Sequence, residues 1–277
     1  MPKVTDDVVR PISLLLTGLS GVGKTAIALQ APQPICVLAL DKSSVDIPPG
    51  LSERDIFYKT FPPAMIDLSN DKHGRARNIA DAIIRDIQLV RDHFTAKKPL
   101  TITTMEGGKE DWPTPATLVV EGGDFLAQHM LNLVCARHGK SNPSDFDNVF
   151  EAWGLRLVEL TAIYDQLTHL PCNVIVTTGP SKETKTSRVN GKVQSEETGV
   201  LLPDLGGKMS EEGPRKFHSS LFCYSENGKH YVRTRSNAKF RGFKLGGRFG
   251  ADEIIDVTTT VDKPVQIWEK LFGKSKA

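Results

Sequence analysis

One short segment of the sequence has residue types and a spacing that suit the binding of phosphate groups. Residues 18–25 read GLSGVGKT and match the pattern G-x-x-x-x-G-K-[ST] at every fixed position. Glycines allow successive backbone N–H groups to turn toward one anion, Lys24 reaches the β- and γ-phosphates of a nucleotide, and Thr25 offers a hydroxyl to Mg²⁺. The segment therefore predicts a site for ATP with Mg²⁺, with a chance match in a glycine-rich turn as the alternative. The predicted binding residues are Gly18, Leu19, Ser20, Gly21, Val22, Gly23, Lys24 and Thr25.

The segments on either side of this loop supply the context that the motif requires. Residues 12–17 are apolar and bounded by Pro11 and Gly18, so they predict a buried strand. Residues 24–31 favour a helix, which Pro32 ends. A strand before the loop and a helix after it place the positive end of the helix beside the same phosphates.

Acidic residues at the ends of two further apolar runs are the candidates for metal binding and catalysis. Glu121 ends the run ATLVVE and is predicted to hold Mg²⁺ together with Thr25. Asp124 is a second candidate for this role, and an ordinary acid at a strand end is the alternative. Asp41 follows the run ICVLAL, where a carboxylate can orient or deprotonate an attacking water. Asp46 is a nearby substitute, and a surface acid without a catalytic role fits Asp41 equally well. The predicted catalytic residues are Lys24, Asp41 and Glu121.

The rest of the chain alternates short apolar runs with longer helical periodicity. Helices are predicted at residues 76–94, 125–138 and 146–170, and a further buried strand at 173–178. Two strand-like runs within residues 218–235 flank an Asn-Gly turn that is typical of a hairpin. This order predicts an α/β fold with a mostly parallel sheet, flanking helices and an antiparallel hairpin near the C-terminus.

A single domain is expected over residues 1–277, with its core in residues 12–245 and a tail at 246–277. Residues 181–216 are polar, with scattered glycine and charge, and we interpret them as a loop. Residues 97–115 have a similar composition and predict a loop or a small hairpin.

The longest predicted helix carries an apolar stripe at helical spacing that includes Phe150, Trp153, Leu160 and Tyr164. A stripe of this kind is typical of core packing, so these side chains are predicted to be buried.

Composition and charge limit the classes of function. The chain has 277 residues, a net charge of +2 and 39% hydrophobic residues, so any contact with nucleic acid must come from local basic patches. Its four cysteines form no CxxC pair and are expected to be reduced core thiols. No apolar run has the length of a signal core or of a membrane span. We therefore expect a cytoplasmic protein without membrane contact, in the host cytoplasm if a phage encodes it.

The order of these parts resembles the RecA-like P-loop ATPases, and in particular the short phage nucleotide-binding proteins of recombination and single-strand annealing. The matching segments are SLLLTGLSGVGKTAIALQAPQPICVLALD, TLVVEGGDFL, NVIVTTGPSKE and YVRTRSNAKFRG, which together cover most of residues 12–245. The resemblance implies an ATPase that assembles head to tail, as a ring or filament, on single-stranded DNA, with a single-strand-binding protein as a further candidate partner. Two departures bear on the rate of hydrolysis: Glu121 replaces the usual Asp, and Thr177-Thr178-Gly179 stands where a polar His is common.

The resemblance also implies that the segment after the fourth buried strand contacts DNA. Its cations suit a phosphate backbone, and such binding weakens as salt rises. No aromatic residue interleaves with these cations, and a solvated surface loop is the alternative. The predicted DNA-binding residues are Lys182, Lys185, Arg188 and Lys192.

Lys239 and Arg241 lie in a second basic segment. In the family, cations at this place can reach the nucleotide of the neighbouring subunit, as an arginine finger does. A basic surface strand, or a further DNA-binding patch, is the alternative.

Two other classes of function fit the phosphate-binding motif. A P-loop kinase of a small molecule is the first, although no arginine-rich lid segment follows the strands. A nucleotide-binding assembly module that has lost hydrolysis is the second, and Glu121 in place of Asp keeps it open.

Overall fold

The computed structural model describes residues 11–40, 47–61, 79–104, 108–189, 192–244, 254–258 and Trp268. Side chains at positions 49, 149 and 186–195 lie outside this description. The helices are α1 (Lys24–Ala28), α2 (Ile79–Ala96), α3 (Gly123–Arg137), α4 (Val149–Thr168) and α5 (Met209–Glu212). The strands are β1 (Ser13–Thr17), β2 (Ile35–Ala39), β3 (Ile56–Thr60), β4 (Leu100–Thr103), β5 (Lys109–Trp112), β6 (Thr117–Glu121), β7 (Asn173–Thr178), β8 (Pro180–Val189), β9 (Lys192–Pro203), β10 (Ser219–Glu226), β11 (Lys229–Arg233) and β12 (Ile254–Asp256).

A central sheet joins eight of the described strands in the order β12-β11-β10-β1-β7-β6-β2-β3. The strands from β10 to β3 in this order run parallel, whereas β11 and β12 are antiparallel additions at one edge. The predicted fold class, a mostly parallel sheet with a C-terminal antiparallel hairpin, is therefore confirmed. The carboxyl ends of β1, β7 and β6 meet at one edge of the sheet, where ligands bind in open α/β folds.

The strands of the sheet are apolar because both of their faces are covered by helices or loops. Leu15 packs into a cluster with side chains from α2, α3 and α4. Its neighbours Leu14 and Leu16 pack into a second cluster with Ile27 of α1 on the opposite face. A strand buried on both sides favours apolar residues at most positions, with small hydroxyl residues such as Thr17 and Thr177 buried among them, which explains the largely apolar runs in the sequence.

The structure corrects several predicted boundaries and one predicted element. Helix α1 ends at Ala28 rather than at residue 31, and α4 spans Val149–Thr168 rather than 146–170. Residues 97–115 contain the hairpin β4–β5 that the sequence allowed. Residues 181–216, interpreted as a loop, instead contain the long antiparallel ribbon β8–β9 and the short helix α5.

The apolar stripe of α4 is only partly buried. Leu160 and Tyr164 belong to the core, as predicted. Phe150 and Trp153 are 76% and 40% exposed, so the prediction of burial is wrong for the first turns of this helix.

All four cysteines are buried free thiols, as expected for reduced core residues. In the described parts of the chain, no helix has both the length and the apolar character needed to cross a bilayer.

Candidate nucleotide site

The loop of residues 18–25 connects β1 to α1 at the carboxyl edge of the sheet. The N–H of Gly18 donates to the carbonyl oxygen of Thr178 at 3.2 Å, which joins the start of the loop to the end of β7. A Cβ at Gly18 would collide with the carbonyl oxygen of Cys223 in β10. Glycine is therefore required at position 18 because two neighbouring strands close in on the backbone.

Two further glycines give the loop its curvature. Gly21 and Gly23 have φ of 78° and 90°, in the left-handed region that favours glycine. The helix that follows has only five residues, Lys24–Ala28. Because so short a helix has a small dipole, anion binding at this corner depends on the loop amides and on Lys24 rather than on α1.

The ammonium group of Lys24 lies inside the curve of the loop. Its Nζ donates to the carbonyl oxygens of Gly18 at 2.7 Å and of Leu19 at 2.8 Å. The charge is thereby held beside the glycine amides that the motif assigns to phosphate.

The hydroxyl of Thr25 donates to the Oε1 atom of Glu121 at the end of β6. A hydroxyl and a carboxylate are oxygen ligands of the kind that Mg²⁺ takes. Across the described segments, no group of three or more His, Cys, Asp or Glu residues could hold a metal ion. Mg²⁺ usually takes one or two protein ligands and completes its shell with phosphates and water. Thr25 and Glu121 therefore fit the metal that the motif implies.

A second carboxylate lies close to this pair. Asp124 opens α3, and its Oδ2 would be 3.3 Å from a Cβ placed at Gly179, just beyond the end of β7. Burial raises the pKa of Asp124, the nearby Asp204 carboxylate raises it further, and Lys24 lowers it. Asp124 therefore lies close enough to Lys24 to feel its charge. The hydroxyl of Thr25, however, bonds to Glu121. Asp41 and Asp46, the predicted water-orienting acid and its substitute, lie outside the described residues.

His230 of β11 is a contact of the loop that sequence reasoning missed. Its Nδ1 lies 3.1 Å from the carbonyl oxygen of Val22, across 208 positions of the chain. Its ring also borders Gly23, where an added Cβ would be 3.5 Å from Nδ1. The hairpin prediction placed His230 at the start of a strand, but nothing in the sequence indicates that this strand passes the loop.

The predicted DNA-binding cations lie on the ribbon β8–β9. Lys182 donates to Glu197 at 2.7 Å, and both side chains are about 60% exposed. Lys185 pairs in register with Glu196. Arg188 and Lys192 are placed on the ribbon by backbone register only, opposite Val193 and Val189. Residues 180–203 contain four cations and three carboxylates, so the ribbon as a whole balances most of its positive charge.

Lys239 and Arg241, the predicted cations for a neighbouring nucleotide, differ in their surroundings. Arg241 donates to Glu183 at 2.5 Å, which attaches it to the base of the ribbon in its own chain. Lys239 is exposed and lies 5.7 Å from the centroid of the Phe240 ring.

The sheet order, the loop between β1 and α1, and the contact between Thr25 and Glu121 define a P-loop ATPase with a RecA-like fold. The chain belongs to the AAA domain family, whose profile matches residues 10–242. Among solved structures it is similar to a KaiC-like protein from the hyperthermophilic archaeon Pyrococcus horikoshii OT3. That protein shares 16% sequence identity at a TM-score of 0.36, over 84% of this chain and 82% of the other. A search of curated proteins found no match.

Proposed function

We propose that the chain binds and hydrolyses ATP with Mg²⁺ at the corner formed by residues 18–25 and Glu121. The observation that carries this proposal is the contact between Thr25 and Glu121, which are 96 positions apart in the chain. The fold thus brings the hydroxyl of the motif to an acid at the end of β6, which lies two strands from β1 in the sheet, as triphosphate hydrolysis requires.

Each residue of the corner has a stated task in this proposal. The loop amides bind the phosphates, and Lys24 exchanges its bonds to Gly18 and Leu19 for bonds to the β- and γ-phosphates. Thr25 and Glu121 hold Mg²⁺, which when bound neutralises charge on the phosphate oxygens. Asp41, which follows the apolar run of β2 in the sequence, is the candidate to orient the attacking water, and Asp124 is the second candidate for the metal.

Two substitutions separate binding from turnover. Lys24→Ala removes the only side-chain cation of the loop and should abolish both ATP binding and hydrolysis. Glu121→Gln keeps the size of the side chain but loses its charge, so ATP should still bind while hydrolysis falls at least about 100-fold, as for other lost electrostatic contacts to a transition state. Calorimetry and a phosphate-release assay measure the two quantities, with the partly exposed Lys140→Ala as the matched control. Normal turnover in Lys24→Ala would mean that residues 18–25 are not the ATP site.

We further propose that the ATPase acts on single-stranded DNA, in recombination or strand annealing. A surface of the β10–β11 hairpin supports this proposal. It lies on the side of the hairpin opposite the core residues Leu221, Cys223 and Val232. We call this surface the aromatic face. Its partly exposed residues are Tyr224, Tyr231, Arg233 and Phe240, and the buried Phe222 packs against Tyr224 and Phe240 beneath them.

The aromatic face combines stacked rings with cations. Tyr224 and Tyr231 stack across the hairpin at 5.4 Å between centroids and are partly exposed. Arg233 and Lys239 approach the Phe240 ring at 5.1 and 5.7 Å. Proteins bind single strands with this combination, because bases stack on the rings while cations follow the phosphates. Asp256 is an acid that lies opposite Tyr231 in the register of β11 and β12. Its Oδ1 makes a local contact, because it accepts the N–H of Thr258 at 2.9 Å.

A double substitution tests the aromatic face. Tyr224→Ala with Tyr231→Ala should weaken the binding of a fluorescent oligo(dT) at least about tenfold, since stacking on an aromatic ring contributes ~1–3 kcal/mol per base. The matched Tyr→Phe pair keeps the rings and should bind as the unchanged protein does. A ribo-oligonucleotide in the same assay distinguishes DNA from RNA. Equal binding of oligo(dT) by the Ala and Phe double variants would exclude the aromatic face as the DNA-binding surface.

Oligomeric assembly on the strand completes the proposal, with Lys239 as the exposed cation available to a neighbouring subunit. Sedimentation with ATP and oligo(dT) tests it, because stimulated turnover together with larger complexes is the expected result. Binding of ATP without turnover would instead support an assembly module. Turnover that requires a small acceptor would support a kinase.

A further inference from the structure

We infer that His230 is a positioning residue for the phosphate-binding loop, through the hydrogen bond from its Nδ1 to the carbonyl oxygen of Val22. The inference rests on the proposed role of this loop in binding ATP. It adds a contact from β11 that lies outside the sequence motif.

The peptide unit between Val22 and Gly23 is the part of the loop that His230 can control. The carbonyl of Val22 and the N–H of Gly23 belong to one planar trans unit and point in opposite directions. A bond that holds the Val22 carbonyl toward β11 therefore directs the Gly23 N–H away from β11 and into the curve of the loop. A carbonyl oxygen only accepts, so the Nδ1 atom of His230 carries the proton in this contact.

The loop needs such an external anchor because its backbone is soft at this point. Gly21 and Gly23 flank Val22, and both have positive φ. Glycine populates positive and negative φ about equally, so the peptide units between these residues can rotate at little cost. The side chain of Val22 is only 6% exposed and anchors one side of the unit, while His230 fixes the carbonyl.

His230 is itself held firmly by its neighbours. Its N–H donates to Thr258 Oγ1 at 2.8 Å, and its carbonyl oxygen accepts the N–H of Val257 at 2.9 Å. The ring faces the loop on the same side of β11 as the buried Val232, because alternate residues of a strand share a face. The edge of the sheet thus presents the imidazole in a fixed place before ATP binds.

Three variants separate positioning from packing. His230→Leu keeps the branched shape at Cγ but removes the donor, whereas His230→Asn retains an N–H donor one bond from Cγ, where Nδ1 stands. The exposed neighbour Lys229→Ala is the control. The affinity of the full chain for ATP, ADP and adenosine is measured by calorimetry, together with the melting temperature without nucleotide.

We expect His230→Leu to bind ATP and ADP about 3- to 10-fold more weakly, the size of one intramolecular hydrogen bond. Adenosine affinity should not change, because it carries no phosphate for the Gly23 amide. His230→Asn should restore most of the ATP affinity, and Lys229→Ala should match the unchanged protein.

The inference is overturned if His230→Leu binds ATP normally, if adenosine affinity falls equally, or if His230→Asn is as weak as His230→Leu. Should His230→Leu not fold, His230→Gln replaces it, because its amide is displaced by one carbon and cannot make the same bond. An unchanged protein that binds no ATP would instead reject the proposed function itself, which this design detects before any variant is compared.

Discussion

The phosphate-binding loop and the ribbon β8–β9 differ in where their contacts come from. Residues 18–25 are joined to β7 by Gly18, to β6 by Thr25 and to β11 by Val22, through partners at least 96 positions away. The ribbon pairs mainly with itself, from Val189↔Lys192 down to Pro180↔Pro203. Among the contacts that the structure describes, its bonds to other segments include those at its base, where Glu183 meets Arg241 and Leu201 bonds to the backbone of Lys239.

This difference determines what each region can do. The geometry of the loop is fixed by the core of the sheet, so its amides and Lys24 are preorganised for an anion. The charges of the ribbon are set by whichever residues the two strands bring opposite one another. Lys185 lies opposite Glu196, and Lys182 reaches Glu197 in an ion pair, so the surface carries little net charge despite the cations on its first strand.

Among substitutions that test how the two regions are held in place, the largest expected effect is at Gly18, where the loop is most tightly enclosed. Gly18→Ala places a methyl group against the Cys223 backbone, which cannot move without shifting β10. We expect ATP affinity to fall more than about tenfold and the free energy of unfolding to drop by about 1–3 kcal/mol, as for other overpacked sites. Calorimetry with ATP and chemical unfolding measure these changes.

Gly21→Ala is the matched control for that prediction. Its φ of 78° also disfavours a side chain, but no atom lies within 4 Å of the added Cβ. Only the strain of the left-handed backbone, about 1–2 kcal/mol, should appear. Gly18 itself has no positive φ, so a loss of ATP affinity in Gly18→Ala no larger than that in Gly21→Ala would mean that the approach of β10 does not require glycine at position 18.

The sequence predicted the loop and the sheet well because both depend on local spacing. The motif fixes glycines at set positions for backbone reasons, and strands buried on two faces appear as continuous apolar runs. His230 could not be found in this way, since its role depends on the pairing of β11 with β10, which in turn lies beside β1. Phe150 and Trp153 have the periodicity of a buried stripe, yet the first turns of α4 extend beyond the core.

An intermediate effect is expected at the base of the ribbon. Glu183 is 9% exposed in its side chain and accepts from both Arg241 and Thr198, so Arg241→Ala leaves a largely buried carboxylate short of a charge partner. We expect a loss of about 1–3 kcal/mol in the free energy of unfolding, the cost of an unsatisfied buried group. Lys239→Ala is the control at an exposed side chain, and it should leave the free energy of unfolding nearly unchanged.

These two variants also test which cation serves a neighbouring subunit. If Arg241 acts only within its own chain, Arg241→Ala should lower stability while turnover per assembled subunit stays within about twofold, because surface and structural charges rarely alter chemistry at a distance. Loss of turnover at unchanged stability would assign Arg241 to the neighbouring nucleotide instead.

The smallest expected effect is on the ribbon strands. Lys182→Gln with Lys185→Gln removes two cations that have acidic partners on β9. Lys182 forms an ion pair with Glu197, and Lys185 lies opposite Glu196 in register. Exposed ion pairs contribute about 0–1 kcal/mol each, so stability should hardly change. The affinity for oligo(dT) should fall less than about threefold at physiological salt, well below the loss from the tyrosine pair on the aromatic face, if base stacking dominates binding. A larger loss of affinity, with a flatter dependence of affinity on salt, would assign the main DNA contact to the ribbon. Each phosphate contact that is lost makes the slope of log affinity against log salt less steep.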